Sequence, residues 1–315
     1  MTGCATRAYA RPVTFTLPRI GVWTDALDFL PARGAQELAV ELEELGYGAI
    51  WLPEVAGRDV MAHLVFLLSA TRELVGATGI ASIWARDAVT MLAGERTLTE
   101  AFPDRVVIGL GVSHHTLVED LRGHVYERPL SAMRAYLDAM EAAPYTAMRP
   151  STPDRRVLAA LRPRMLELAA ERTGGAHTYF VTPEHTAGAR VILGSERLLC
   201  PEQAVFLETD PEKARDVGRR HAATYIRLPN YQNNLRRLGF DDDDFRDGGS
   251  DRLVDAIVAW GDPERIAGRV RAHFEAGADH VCVQVLHPER RGVPVEGWQE
   301  LAPALTEVAS ATSGS

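Results

Sequence analysis

The sequence predicts a single α/β domain over residues 1–315, built as a (β/α)8 TIM barrel with insertion loops at the C-terminal ends of its strands. Three observations carry this. A unit of short apolar run, cap residue and amphipathic helix recurs along the chain. The recurrence runs to the C-terminal region with no stretch that looks like a domain linker. The length, 315 residues, suits one such barrel. A doubly wound open sheet is the alternative reading of the same alternation, and the unbroken repetition favours the barrel.

The elements follow in order. Ile20–Trp23 reads as a strand and 34–45 as a helix closed by Gly46. Strand 49–52 precedes helix 61–72, strand 75–83 precedes helix 89–101, and strand 106–110 precedes helix 130–142. Strand 157–161 precedes helix 163–171, and strands follow at 177–181 and 205–207. In the last unit Ile266, Val270 and Phe274 recur on one helical face, and Gly277 suits the left-handed position after the helix. His280–Leu286 then reads as a buried strand. That makes about eight strands separated by helices.

Three helix starts share one chemistry: Thr182-Pro183-Glu184, Asp210-Pro211-Glu212 and Asp262-Pro263-Glu264. Thr or Asp accepts from free N–H groups, Pro fits the first helical position, and Glu complements the dipole. Two stretches, Gly111–Pro129 and Arg227–Ser250, are long for ordinary connections and read as lids. The acidic run Asp241–Asp244 within the second reads as solvated loop. Residues 1–18 read as a flexible extension and 306–315 as a flexible tail.

Composition narrows the function. Hydrophobic residues make up 46%, enough for a large core. The net charge is −9 with no basic stripe, which argues against nucleic acid as a partner. The apolar runs are too short to cross a bilayer, so no membrane partner is expected. The N-terminal stretch has no apolar signal-peptide core. Three separated cysteines, Cys4, Cys200 and Cys282, make neither a disulfide framework nor a metal site. Together these predict a cytoplasmic protein acting on a small molecule.

In a barrel, polar residues just past a strand's C-terminal end face the site. This selects Glu54, Trp84, Arg86, Asp87, Ser113, His114, Arg162, Arg164, Thr182, Glu184 and His185. Capping alone explains Asp87, Thr182 and Glu184, and ordinary packing explains Trp84. Arg162 and Arg164 at a helix N-terminus oppose its dipole, a penalty that a bound anion would reverse. His114 and Glu54 are the acid/base candidates. There is no HExxH or CxxC metal motif. Gly109-Leu110-Gly111-Val112-Ser113-His114 is neither a dinucleotide fingerprint nor a nucleophile elbow.

Several segments in fixed order resemble the luciferase-like monooxygenase superfamily. They are Trp51–Glu54, Thr78–Asp87, Gly109–His114, Tyr179–Thr186 and Leu228–Leu235. They are most similar to an actinobacterial branch of coenzyme F420-dependent oxidoreductases, and the resemblance covers roughly Ile20 to Leu286. It implies hydride transfer between F420 and a small organic substrate at a C=C, C=N or C=O bond. An FMN-dependent monooxygenase and a cofactor-free relative are the alternatives. It also implies a possible homodimer. By position, Gly79 and Ile80 match a third-strand bulge behind the cofactor ring that often carries a non-proline cis peptide, with Trp84 and Ser113 beside it. Leu161, Arg162, Arg164 and Met165 match the cofactor phosphate site. Glu54 stands where relatives place a histidine, and His114 where some place an acidic proton donor. Asn230, Tyr231 and Asn234 of the second lid would shape the substrate pocket. The chain departs from the family in carrying Arg162-Pro163-Arg164 where a Gly-Pro-Lys-like turn is usual, so Arg162 either replaces a backbone contact to phosphate or fills its place. Ala88 likewise stands where Pro is common.

Overall fold

A computed structural model describes residues 16–312. Its strands are β1 (Ile20–Trp23), β2 (Ala49–Leu52), β3 (Val75–Thr78), β4 (Ala81–Ser82), β5 (Val106–Gly111), β6 (Arg156–Ala159), β7 (Gly175–Thr178), β8 (Leu198–Leu207), β9 (Val258–Gly261) and β10 (Val281–Val285). Its helices are α1 (Ala32–Glu44), α2 (Val60–Ala70), α3 (Ala88–Ala101), α4 (Pro129–Ala142), α5 (Pro163–Arg172), α6 (Pro183–Leu193), α7 (Pro211–Tyr225), α8 (Pro229–Arg237), α9 (Asp251–Ile257), α10 (Pro263–Glu275) and α11 (Val295–Thr312).

All strand pairings are parallel. The order runs β10-β1-β2-β3-β5-β6-β7-β8, and a β10–β8 pairing closes the ring. Strands β3 and β4 are two halves of one interrupted strand, since both pair with β5. The closed eight-strand barrel follows, with β9 lying beside the second half of β8.

Alternation along each strand divides the apolar side chains into two cores. Outward-facing residues such as Val22, Ile50, Ile108 and Val283 meet the helices in the largest cluster. Trp51, Ala77, Val107, Val157, Cys200 and Cys282 fill the lumen, which is therefore packed rather than a pore. A third cluster joins Phe180 to Tyr231, Leu235, Phe240 and Leu253, seating α7–α9 on one side of the mouth. A buried ion pair ties the helical layer to the barrel: Arg156 Nε donates to Glu95 at 2.7 and 2.8 Å.

The expected caps form. Asp87 accepts from Val89 and Thr90, Thr182 from His185, Asp210 from Glu212 and Lys213, and Asp262 from Arg265. Other expectations are corrected. The strand expected over 75–83 breaks between Thr78 and Ala81, around a cis peptide at Gly79–Ile80. The strand expected over 157–161 ends at Ala159, because Arg162 begins the next helix cap. The strand expected over 177–181 spans Gly175–Thr178, because Phe180 turns left-handed (φ 59°). The strand expected over 205–207 begins at Leu198. Arg227–Ser250 is not a plain loop: Tyr231 and Leu235 recur at helical spacing after Pro229 and form α8. Asp244 is not solvated but buried, accepting from Ser250 Oγ at 2.6 Å. The tail is helical through Thr312, with Val308 buried. Leu17, in the expected extension, packs into the lumen cluster; residues 1–15 lie outside the described residues, Cys4 among them.

Candidate active site

The mouth of the barrel is small on one side and polar on the other. On β5 and β6 the lumen-facing positions near the mouth are Gly109, Gly111 and Ala159. These glycines admit the interrupted strand: a Cβ on Gly109 would lie 2.2 Å from the Thr78 carbonyl oxygen, and one on Gly111 2.5 Å from Ile80 Cδ1. The Gly79 carbonyl accepts from Trp23 Nε1 at 2.9 Å, so the β1 end braces the bulge. Trp84 Nε1 donates to the Val112 carbonyl at 3.0 Å, joining the ends of β4 and β5.

Glu54, just past β2, is locked in place. Its Oε2 accepts from Ser82 N at 2.8 Å and from Arg86 Nη1 at 3.0 Å, while Arg86 Nη2 pairs with Oε1 and reaches Asp59 at 2.9 Å. Both side chains are under a tenth exposed. Arg86 is itself held from above, its carbonyl accepting from Tyr136 Oη at 2.9 Å. A carboxylate bound this way is a brace between β2 and β4.

His114 follows β5 after Ser113, which is left-handed (φ 56°) and accepts Tyr126 Oη at its carbonyl. Burial lowers the His114 pKa, so its imidazole is neutral at pH 7. Its ring lies 5.6 Å from that of Tyr231 on α8. The structure thus brings two predicted site residues, distant in sequence, into one contact. Asn234, one turn on, is buried and its Nδ2 has no hydrogen-bond partner. Asn230, at the start of α8, is half-buried.

The expected phosphate turn opens α5. Arg162 is the cap residue without a side-chain cap bond, Pro163 is first in the helix, and Leu161 and Met165 pack into the apolar clusters on either side. Among the described residues, neither Arg162 nor Arg164 makes an ion pair or a side-chain hydrogen bond. Arg162 lies close enough to Tyr126 to favour ionisation of that phenol against its burial. The turn is fixed from behind: His185 Nε2 donates to the Leu161 carbonyl at 2.7 Å.

Sequence reasoning missed the opposite wall. Tyr179 Oη lies 2.7 Å from Tyr225 Oη and donates to Gln284 Oε1 at 2.8 Å. Trp23 stands 5.1 Å from the Tyr179 ring. Glu202 sits below them, 1% exposed. The available signal was an acidic residue, Glu202, inside a mostly apolar run, Leu198 to Leu207. Away from the mouth, a surface cleft of about 250 Å3 is lined by Asp255, Trp260, Arg265 and Arg269 and contains none of these residues.

A closed parallel barrel with polar groups gathered at its C-terminal mouth is the architecture of an α/β-barrel enzyme. The family model described as luciferase-like monooxygenase matches residues 11–280, and the chain belongs to that family. A Mycobacterium tuberculosis protein named as a candidate coenzyme F420-dependent oxidoreductase is 28% identical over 108 residues. That match spans 34% of this chain and 31% of the relative, so the chain matches about a third of the relative's length. The fold is shared with an F420-dependent secondary alcohol dehydrogenase in complex with an F420-acetone adduct (TM-score 0.73, 15% identity, 92% of this chain and 99% of that one). It is shared equally with the F420-dependent tetrahydromethanopterin reductase of Methanopyrus kandleri (TM-score 0.73, 16% identity, 93% and 99%). An FMN-bound Baeyer–Villiger monooxygenase from Pseudomonas putida has the same fold (TM-score 0.70, 15% identity, 93% and 98%).

Proposed function

We propose that this chain is an oxidoreductase that binds coenzyme F420 across the barrel mouth and moves a hydride between it and a small organic substrate. The observation that carries this reading is the pair of unpartnered guanidinium groups, Arg162 and Arg164, at the uncapped start of α5. Six other helices close their first turn with an Asp, Ser or Thr side chain. A phosphate at α5 would supply the missing negative charge and accept from both arginines. Gly109 and Gly111 make room for the bulge at Gly79 and Ile80, which suits a flat ring backed by Ile80 and flanked by Trp84 and Ser113.

In this reading, Leu161, Arg162, Arg164 and Met165 hold the phosphate end. When bound, the deazaflavin supplies or accepts the hydride. Neutral His114 holds or receives the accompanying proton on its imidazole nitrogen. Glu54 keeps the mouth in shape through its bonds to Arg86 and Ser82. Tyr231 and Asn234 cover the substrate, excluding water from the reacting atoms, with Asn230 at the edge of the lid.

Titration of the purified protein with F420 and, separately, with FMN tests the reading. Binding of F420 is expected; binding of FMN together with oxygen consumption when it is reduced would instead favour a monooxygenase. Binding of neither at about 50 μM, well above a useful affinity, would leave the cofactor-free reading. Arg164→Ala is expected to weaken F420 affinity by about tenfold to a hundredfold, the range for a charged hydrogen bond; unchanged affinity would remove Arg164 from the phosphate site.

A further inference from the structure

Below the aromatic layer of the mouth lies a carboxyl group that the scheme above does not use. Glu202 shares the lumen-facing side of β8 with Cys200, two residues away. Its Oε2 accepts from Phe180 N at 3.2 Å. Its Oε1 is buried with no hydrogen-bond partner, an arrangement that buried carboxyls rarely keep.

The surroundings decide its chemical form. Tyr179 faces it from the end of β7, Cys282 and Gln284 from β10, Tyr225 from α7 and Tyr231 from α8. Asp25, past β1, adds a further acidic group beside Tyr225. Tyr179 donates to Gln284, so Tyr225 must be the donor in the Tyr179–Tyr225 bond. Both phenol protons are therefore committed. No arginine or lysine pairs with Glu202 among the described residues. An ionised carboxyl here would stand uncompensated. Burial accordingly raises its pKa to about 8, which leaves a neutral acid at pH 7 whose proton has no acceptor. Asn234 Nδ2 on α8 is a second buried donor without one. It follows Tyr231 by one helical turn, and the rings of Phe180, Tyr225 and Tyr231 sit 5.0 to 5.5 Å from one another.

We propose that Glu202 is a substrate-binding residue, the buried donor that takes the carbonyl or hydroxyl oxygen of a neutral aromatic or alicyclic compound beneath Phe180 and Tyr231. This rests on the reading of the mouth as the active site. The aromatic walls suit an apolar body, and the absence of a paired cation among the described residues disfavours an anionic head.

The test uses protein without added cofactor. The infrared difference between wild type and Glu202→Gln is expected to show a carboxylic-acid carbonyl band at pH 7 that fades as the pH is raised to 9. Acetophenone and phenylethanol are the probes. At saturation at least one is expected to shift that band, and to bind about tenfold more weakly to Glu202→Leu, the loss of one hydrogen bond. Glu202→Gln keeps an N–H donor and is expected to bind within about threefold of wild type. Because the folded pKa lies above the unfolded one, the wild-type melting temperature should also fall relative to Glu202→Gln as pH rises from 5 through 8. No acid band at pH 7, a band unmoved by both probes, or equal affinity in Glu202→Leu would overturn the proposal. Should Glu202→Leu fail to fold, the band and its response to the probes still decide. A negative F420 titration leaves every one of these readouts intact, so the two failures are distinguishable.

Discussion

Glu54 and His114 both stand at strand ends, yet their surroundings give them opposite work. Removing the charge of Glu54 leaves Arg86 buried with only exposed Asp59 to answer it. Glu54→Gln is therefore expected to lower stability by about 3 kcal/mol, the lower end for breaking a buried pair, read by chemical denaturation. Full stability with lost turnover would make Glu54 catalytic instead. His114→Ala is expected to lower turnover by about 10^2 to 10^4, the usual worth of general acid–base catalysis, with F420 affinity largely kept. Unimpaired turnover would end the proton-transfer role. Both residues were legible in the sequence because a barrel puts strand ends at its site. The difference between them was not, because Arg86 lies 32 positions from Glu54 and pairs with it only through the fold.

At the scale of elements, the interrupted third strand depends on its neighbour. Gly109 gives the Thr78 carbonyl its place, and a methyl group there meets backbone rather than a yielding side chain. Gly109→Ala is expected to cost about 1–3 kcal/mol, as overpacking does, and to disturb the mouth. A melting temperature equal to wild type would show that β3 moves aside freely. Residue periodicity revealed most helices and strands, including the third strand as a whole. It failed where polar residues interrupt a buried run. Pro201, Glu202 and Gln203 hid the first half of β8, where Gln203 finds its partners far away in sequence: it donates to the Ile257 carbonyl at 2.7 Å and lies 3.0 Å from His273 Nε2. Likewise α8 read as loop because its three asparagines and glutamine masked the spacing of Tyr231 and Leu235.

Across the whole molecule, folding buries histidines as neutral groups. Burial lowers His63, His177, His221 and His280 to about 4 and His273 to about 3. A folded pKa below the unfolded 6.5 gives stability that is present above pH 6.5 and lost as pH falls through about 4. Buried Glu95 and Glu202, with raised pKa values, oppose this over part of the range, but histidines outnumber them. The denaturation midpoint is expected to drop steadily from pH 7 to pH 4.5; a flat profile would contradict the burial of these imidazoles as neutral rings. No helix among the described residues is long and apolar enough to cross a membrane.

Trp51 occupies the middle of the filled lumen, stacked 4.5 Å from the His177 ring, with its Nε1 donating to His280 Nε2 at 2.9 Å. That bond fixes His280 as the tautomer that carries its proton on Nδ1, facing the Pro18 carbonyl. The chain therefore holds its own optical gauge: an indole in a dry compartment, wired to two imidazoles whose protonation would quench it. Read with the four other tryptophans replaced, its emission is expected to report the moment water and protons first breach the barrel.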